Sequence, residues 1–218
     1  MEQIVYRAFK KEEYSSIADI LSRAFGLHRY VSNPRLLQIL QQQYVYSCLS
    51  EATFIRVAEE DGKIIGVIMG KSQSDYRILS HLHFLLLSGW YGMIMKMSSN
   101  AKHTGIDDYH KLHQIYHTFS KRHKGTFDGV LTLFAVNNES RGKGVGKTLL
   151  SELISYWKEH KTKNVYLYTD TTCNYGFYEH QGFTRLEEET LILTRDEVPF
   201  EMQVFLYGYA INQNNICR

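Results

Sequence analysis

The sequence predicts an α/β fold, and three observations carry the prediction. Residues 131–160 read strand, loop, helix: β-prone Leu131, Leu133, Phe134 and Val136 give way to a glycine-rich loop. Leu150, Leu153, Ile154 and Trp157 then recur at helical spacing. Residues 4–69 read strand, helix, helix, strand, strand, so strands and helices are interleaved along the chain. Asp61-Gly62 lies between two apolar runs, which is a strong hairpin signal.

The elements follow in order. Residues 4–9 form a short first strand. Residues 11–25 form a helix with Ile17, Ile20, Leu21 and Ala24 on one face, and Gly26 stops it. Residues 27–30 are a loop. Asn33-Pro34 starts a second helix, with a capping side chain and a proline in the first turn. Leu37, Leu40, Tyr44 and Cys48 share a face of it, which makes Cys48 a small core residue. Residues 54–59 and 63–69 are the two strands of the hairpin. Beyond the central unit, residues 164–169 are a strand and residues 174–181 a short helix. Residues 190–193 and 204–211 are two late strands.

Residues 74–127 delay the strand that precedes the central loop. Residues 78–97 are very apolar, but His81, His83, Ser88, Gly89, Gly92 and Lys96 interrupt the run. A span needs about 20 apolar residues, so the segment reads as a buried or groove-lining helix and no membrane span is expected. A second helix covers residues 107–122. Its Leu112, Ile115, Tyr116 and Phe119 pack inward, while His110, His113 and His117 line the other face. A zinc site usually draws ligands from more than one element, and no carboxylate joins this stripe. A solvated or acceptor-facing surface is expected there, and no metal.

The central loop, Arg141-Gly142-Lys143-Gly144-Val145-Gly146-Lys147, is built for an anion. Its glycines allow close backbone approach. The free N–H groups and dipole of the following helix favour negative charge, and Arg141, Lys143 and Lys147 add cations. A Walker loop would need glycine at position 141, which is arginine. A dinucleotide fingerprint would need glycine at position 147, which is lysine. The remaining pattern, Gln/Arg-x-x-Gly-x-Gly/Ala between strand and helix, is matched in full by Arg141, Gly144 and Gly146. Further on, Asn174, Phe177, Tyr178, Gly182 and Phe183 fit N-x-x-F-Y-x-x-x-G-F in the expected order.

By these two motifs the chain resembles the GNAT superfamily of acyl-CoA-dependent N-acetyltransferases. The likeness covers residues 4–211, with its sharp motifs in residues 131–183. It implies a single domain over residues 1–218. The implied fold is a mixed, mostly antiparallel twisted sheet of about seven strands flanked by helices. Residues 74–127 would be a helical insertion between the third and fourth strands. The implied reaction moves an acetyl group from acetyl-CoA, as co-substrate, to a primary amine of a small molecule or peptide by direct attack. Phe134, Ala135 and Val136 would bond the pantetheine arm as an added strand. Arg141, Gly142, Lys143, Gly144, Val145, Gly146 and Lys147 would hold the pyrophosphate. Tyr178 would protonate the departing thiolate, and Asn174 would cap its helix or bond the cofactor arm. The base is left open between a water relay and Asp170; Glu139 reads as a solvated loop residue. Cys173 lacks a His/Asp arrangement and reads as a passive thiol. Asn137-Asn138 stands where many members carry a proline, which would only stiffen the turn. Two alternatives stand beside the enzyme: a non-catalytic acyl-CoA-binding module on the same fold, and a divergent P-loop NTPase.

Composition bounds the rest. The 218 residues are 44% hydrophobic with two prolines, as a packed globular chain requires. A net charge of +2 demands no nucleic-acid partner. Cys48, Cys173 and Cys217 are few and widely spaced, which suggests reduced thiols and a cytoplasmic setting. Residues 1–6 lack signal-peptide character. Family members are often dimers, so a homodimer is one expectation, with residues 74–127 serving either as a lid or as an interface. The acceptor contacts are expected from this insertion, together with residues 25–32 and the histidine face.

Overall fold

A computed structural model describes residues 3–27, 33–98, 106–195 and 198–212. The strands are β1 (Val5–Ala8), β2 (Phe54–Glu60), β3 (Lys63–Ser72), β4 (Gly129–Val136), β5 (Asn164–Asp170), β6 (Thr184–Arg195) and β7 (Val198–Ala210). The helices are α1 (Tyr14–Phe25), α2 (Pro34–Glu51), α3 (Ile78–Ser98), α4 (Ile106–Arg122), α5 (Val145–Glu159) and α6 (Gly176–His180). The strands make one seven-stranded sheet in the order β1-β2-β3-β4-β5-β7-β6. Every neighbouring pair is antiparallel except β4 and β5.

Local chemistry sets the boundaries. Asn33 accepts from the Arg35 and Leu36 N–H groups at 2.9 and 3.3 Å, and Pro34 opens α2. Gly26 ends α1 in the left-handed region at φ 59°, its N–H bonded to the Ser22 carbonyl. A 3-10 turn, Lys11–Glu13, occupies the expected first turn of that helix. The β2–β3 hairpin turns on Asp61 and Gly62, at φ 53° and 72°.

The sheet is covered on both faces. Val57, Val67, Met69, Leu133 and Ala135 pack under α1 and α2. Ile65, Ile68 and Leu131 pack under α5, whose Leu149, Leu150, Leu153 and Trp157 are buried. Two register shifts, in β2–β3 and β3–β4, reconcile these faces with the period-two alternation of a strand. The approach of α5 depends on small residues: a Cβ at Gly70 would lie 2.4 Å from the Leu153 Cδ1. A third cluster joins Phe119 of α4 to Leu191, Leu193, Met202, Val204 and Leu206 of the β6–β7 ribbon.

Two sequence expectations need correction. The late strands are far longer than residues 190–193 and 204–211. A bulge between Arg185 and Glu187 breaks the alternation, and the acidic run Glu187-Glu188-Glu189 hides the strand that carries it. The apolar segment 78–97 is a helix, but not a buried one. Met95 is buried and Phe84 and Tyr91 pack against α2, whereas Leu79, Leu86, Trp90 and Met97 face outward. By length and composition alone α3 could cross a membrane.

Candidate active site

The parallel pair β4–β5 is where the sheet opens. Among the described residues its register consists of Gly129–Val165 and Val130–Tyr166. Asp128 fixes this closed end by accepting from the Lys163 and Asn164 N–H groups at 2.9 and 2.8 Å. Beyond Val130 the strands part. On one side β4 stays paired with β3 through Val136, and on the other β5 stays paired with β7 through Asp170. The splay leaves a cavity of about 490 Å³. Its walls come from β4, the loop before α5, the end of β5, α6, and parts of α1, α2 and α4.

Phe134, Ala135 and Val136 line the cavity from the β4 side. The chain then makes a 3-10 turn, Asn138–Ser140, and enters the loop. Gly142 and Gly144 take φ 83° and 79°, a region that side chains rarely adopt, and a Cβ on either would meet nothing within 4 Å. The space above the loop is thus open, and the first turn of α5 is aimed at it. Arg141, Gly142, Gly144, Val145, Gly146 and Lys147 all line the cavity. Lys143 differs: its ammonium is bonded to both Glu60 carboxylate oxygens at 2.7 and 2.8 Å. Only the Lys143 backbone remains with the loop. A Cβ at Gly146 would crowd the rim of Phe134 at 3.3 Å. This glycine brings the helix start against β4.

Tyr178 lies across the cavity on α6, 9% exposed, with its ring edge-on to Phe177 and Phe183. Burial, reinforced by Cys173 and Asp170, pushes its phenol above the ordinary range, so it holds its proton. Asn174 lines the cavity one turn earlier. Cys173 is also there; burial, then Asp170, raises its thiol to about 11. That leaves it a poor nucleophile near neutral pH. Asp170 is nearly buried and accepts from the Thr172 N–H and hydroxyl at 2.7 and 2.5 Å. Glu139 is exposed and does not line the cavity.

The histidine stripe separates into parts. All three are exposed, but His113 lines the cavity while His110 and His117 lie outside it. The surrounding protein, then His110, lowers the His113 pKa and favours its neutral form. Among the described residues no group of histidine, cysteine or acidic side chains could hold a metal. Within residues 25–32, Phe25 and Leu27 line the cavity, and residues 28–32 lie outside the described residues. The sequence did not point to Tyr168 and Tyr116 as a pair. Their rings stack at 4.2 Å, and the Tyr168 hydroxyl donates to the Tyr116 carbonyl at 3.0 Å. The outward phase of Tyr168 in its strand, opposite buried Leu167, was the one available signal.

Several solved structures share this architecture. An N-acetyltransferase from Staphylococcus aureus aligns with TM-score 0.54 at 15% identity, over 96% of this chain and 99% of that one. The enzyme that acetylates the alanine of a ribosomal protein in Escherichia coli aligns with TM-score 0.53 at 11% identity, over 99% and 100%. An agmatine N-acetyltransferase aligns with TM-score 0.59 at 12% identity, over 95% and 99%. At these identities the likeness is one of fold. No curated protein sequence matches. The family evidence comes from the sequence itself, since residues 14–183 match the model of the acetyltransferase (GNAT) family. That match spans the splayed strands, the glycine-rich loop and the Tyr178 helix, and the chain belongs to the GNAT family of acetyltransferases.

Proposed function

We propose that this protein transfers the acetyl group of acetyl-CoA to a primary amine of a small molecule or peptide. The carrying observation is the β4–β5 splay, which opens one edge of β4 beside the anion loop and faces it with Tyr178. An acyl-CoA arm laid along Phe134, Ala135 and Val136 would bond as an added strand. Its pyrophosphate would meet the N–H groups of the loop and the first turn of α5, with Arg141 and Lys147 adding charge. The free amine attacks the thioester carbonyl, forming a C–N bond. The tetrahedral intermediate collapses by breaking the C–S bond, and the sulfur takes the Tyr178 phenolic proton. The amine's proton leaves through water, and Tyr178 is reprotonated from solvent. Asp170 reaches the cavity but is tied to Thr172, so the water relay is the simpler base.

The wall supplied by α1, Leu27 just beyond it, α2, α4 and β5 is mostly apolar and aromatic, with Phe25, Leu27, Tyr44, Leu112, Tyr116 and Tyr168 around His113 and Thr169. Asp170 is the carboxylate in the described lining. Such a wall suits an amine with an apolar body and a single positive charge, and gives a polycation little to pair with. The test is incubation with acetyl-CoA and a panel of arylalkyl monoamines, polyamines and peptides. Free CoA thiol and acetylated amine are both measured. Equal amounts of the two products are expected, with the monoamines leading. CoA binding without turnover of any amine would make the protein a non-catalytic CoA-binding module, and ATP binding in place of CoA would sink both readings.

A further inference from the structure

We infer that Arg185 is a positioning residue for the transfer step: through Glu179 it fixes the short helix α6, and with it the phenol of Tyr178. The inference rests on the proposed acid role of Tyr178. The need for a fixing contact comes from the helix itself. α6 is five residues long, and helices shorter than about 12 residues are marginal without outside contacts. Tyr175, at its N-cap, makes no side-chain capping bond. The orientation of α6 must therefore come from the sheet. Glu179, next to Tyr178, supplies the link. Its Oε1 accepts from the Tyr207 hydroxyl at 2.6 Å and from the Arg185 Nη2 at 2.9 Å. The Arg185 Nε donates to the same hydroxyl at 3.0 Å. The bonds close a triangle, so no member can swing away without breaking two of them.

Arg185 is itself held in place. Its guanidinium carbon lies 4.0 Å from the centre of the Phe205 ring, and its Nη1 donates to Glu188 at 3.0 Å. Phe205 in turn meets the Tyr175 ring edge-on at 5.2 Å. The guanidinium thus bears on both ends of α6, which the planar fork of an arginine can do and the point charge of a lysine cannot. The strand is shaped to aim it. Arg185 and Tyr207 are opposed partners on β6 and β7, and the register shifts immediately afterwards, with Leu186 as the extra residue. Without that residue Glu187 would share the Arg185 face. With it, Glu187 turns to the other face and bonds Arg122 and His123, which leaves Glu179 and Glu188 to Arg185. Arg185, Glu179 and Tyr207 do not line the cavity. They reach the reaction through α6.

The test is a kinetic cycle on the full chain: wild type, Arg185→Met, Tyr178→Phe and the double variant, with acetyl-CoA and the best monoamine of the panel. In Arg185→Met, kcat is expected to fall about tenfold, less than in Tyr178→Phe, because a positioning residue cannot cost more than the group it positions. KM for acetyl-CoA should move by less than about twofold, since the pyrophosphate loop is untouched. In the Tyr178→Phe background the same substitution should change kcat by less than about twofold, because the acid it aims is already gone. A merely structural role would instead multiply the two losses, and that result overturns the inference. So does a wild-type kcat in Arg185→Met beside a slow Tyr178→Phe. A normal kcat in Tyr178→Phe, or no turnover of any amine, defeats the proposed function itself and the inference with it. If Arg185→Met fails to fold, Tyr207→Phe, which keeps the ring and removes the hydroxyl from the triangle, carries the same cycle.

Discussion

The two halves of the cavity are assembled in different ways. The acyl-donor half is almost contiguous in sequence. Phe134 to Lys147 run from strand to loop to helix, and Asn174 to Tyr178 follow one strand later. The acceptor half is gathered from α1, α2, α4 and β5, so that Phe25, Tyr44, Tyr116 and Tyr168 meet only through the tertiary fold. A contiguous site imposes spacing that can be read along the chain. A gathered one imposes none. Under the proposed function, the donor half is also backbone chemistry, resting on φ values and N–H groups, while the acceptor half is side-chain surface. Substitutions should therefore act all-or-none in the first and by degree in the second.

The largest effect expected is for Gly144→Asp. Gly144 sits at φ 79°, where a side chain is strained, and a carboxylate there would project into the open space proposed for the pyrophosphate. Acetyl-CoA affinity, measured by calorimetry, should fall by more than about 100-fold from strain and like-charge repulsion together. Retained affinity would show that the loop does not hold the pyrophosphate, and would break the contrast between the halves.

Tyr178→Phe comes next, because it deletes a proton and little else. The ring packs among Phe177, Phe183 and Phe134, which phenylalanine can preserve. A kcat loss of about 100-fold is expected for a missing general acid, with acetyl-CoA binding and thermal stability nearly unchanged. The pH profile adds a sign. A phenol raised above its ordinary pKa of 10 keeps its proton as pH rises through 9. The Tyr178-dependent rate should therefore show no descending limb in that window. A limb near pH 8 that disappears in the variant would mean that the phenol ionises early and works as something other than an acid.

What was legible in the sequence follows the same division. Asn33-Pro34, Gly26 and Asp61-Gly62 announced their caps and turn because the physics at each is local. The Arg141–Lys147 loop was legible for the same reason, apart from Lys143, whose partner Glu60 lies on a distant strand. The long β6–β7 ribbon was not, since a bulge hid its period. Nor was the outward turn of α3. Composition says that a helix is apolar, but not which neighbours are left to cover it. Likewise the histidine spacing could not show that, of the three, His113 alone reaches the cavity, beside the Leu112 and Tyr116 expected on the other face.

Tyr116→Leu probes the acceptor half by degree. It removes the ring stacked on Tyr168 but leaves the backbone carbonyl that holds the Tyr168 hydroxyl. Losing one aromatic contact worth about 0.5–1.5 kcal/mol should raise KM for a favoured monoamine by roughly three- to tenfold. Acetyl-CoA binding should be unaffected. Equal loss of affinity for both substrates would mean that the halves are not separable.

The smallest effect belongs to Cys173→Ala, and it tests whether the chemistry is direct. Cys173 shares the cavity with Tyr178, so it could meet the thioester, but it lacks both a base and the reactivity for an acyl-cysteine route. With the thiol raised to about 11 by burial and Asp170, about one molecule in a thousand or fewer is thiolate at pH 7.5. Direct attack predicts that the variant keeps its rate within about threefold, the difference reflecting only a small packing change. It also predicts that iodoacetamide acts slowly on the wild type and that initial-rate plots intersect. A covalent route predicts parallel plots and an inactive variant, and that outcome would move the first chemical step from the amine to the protein.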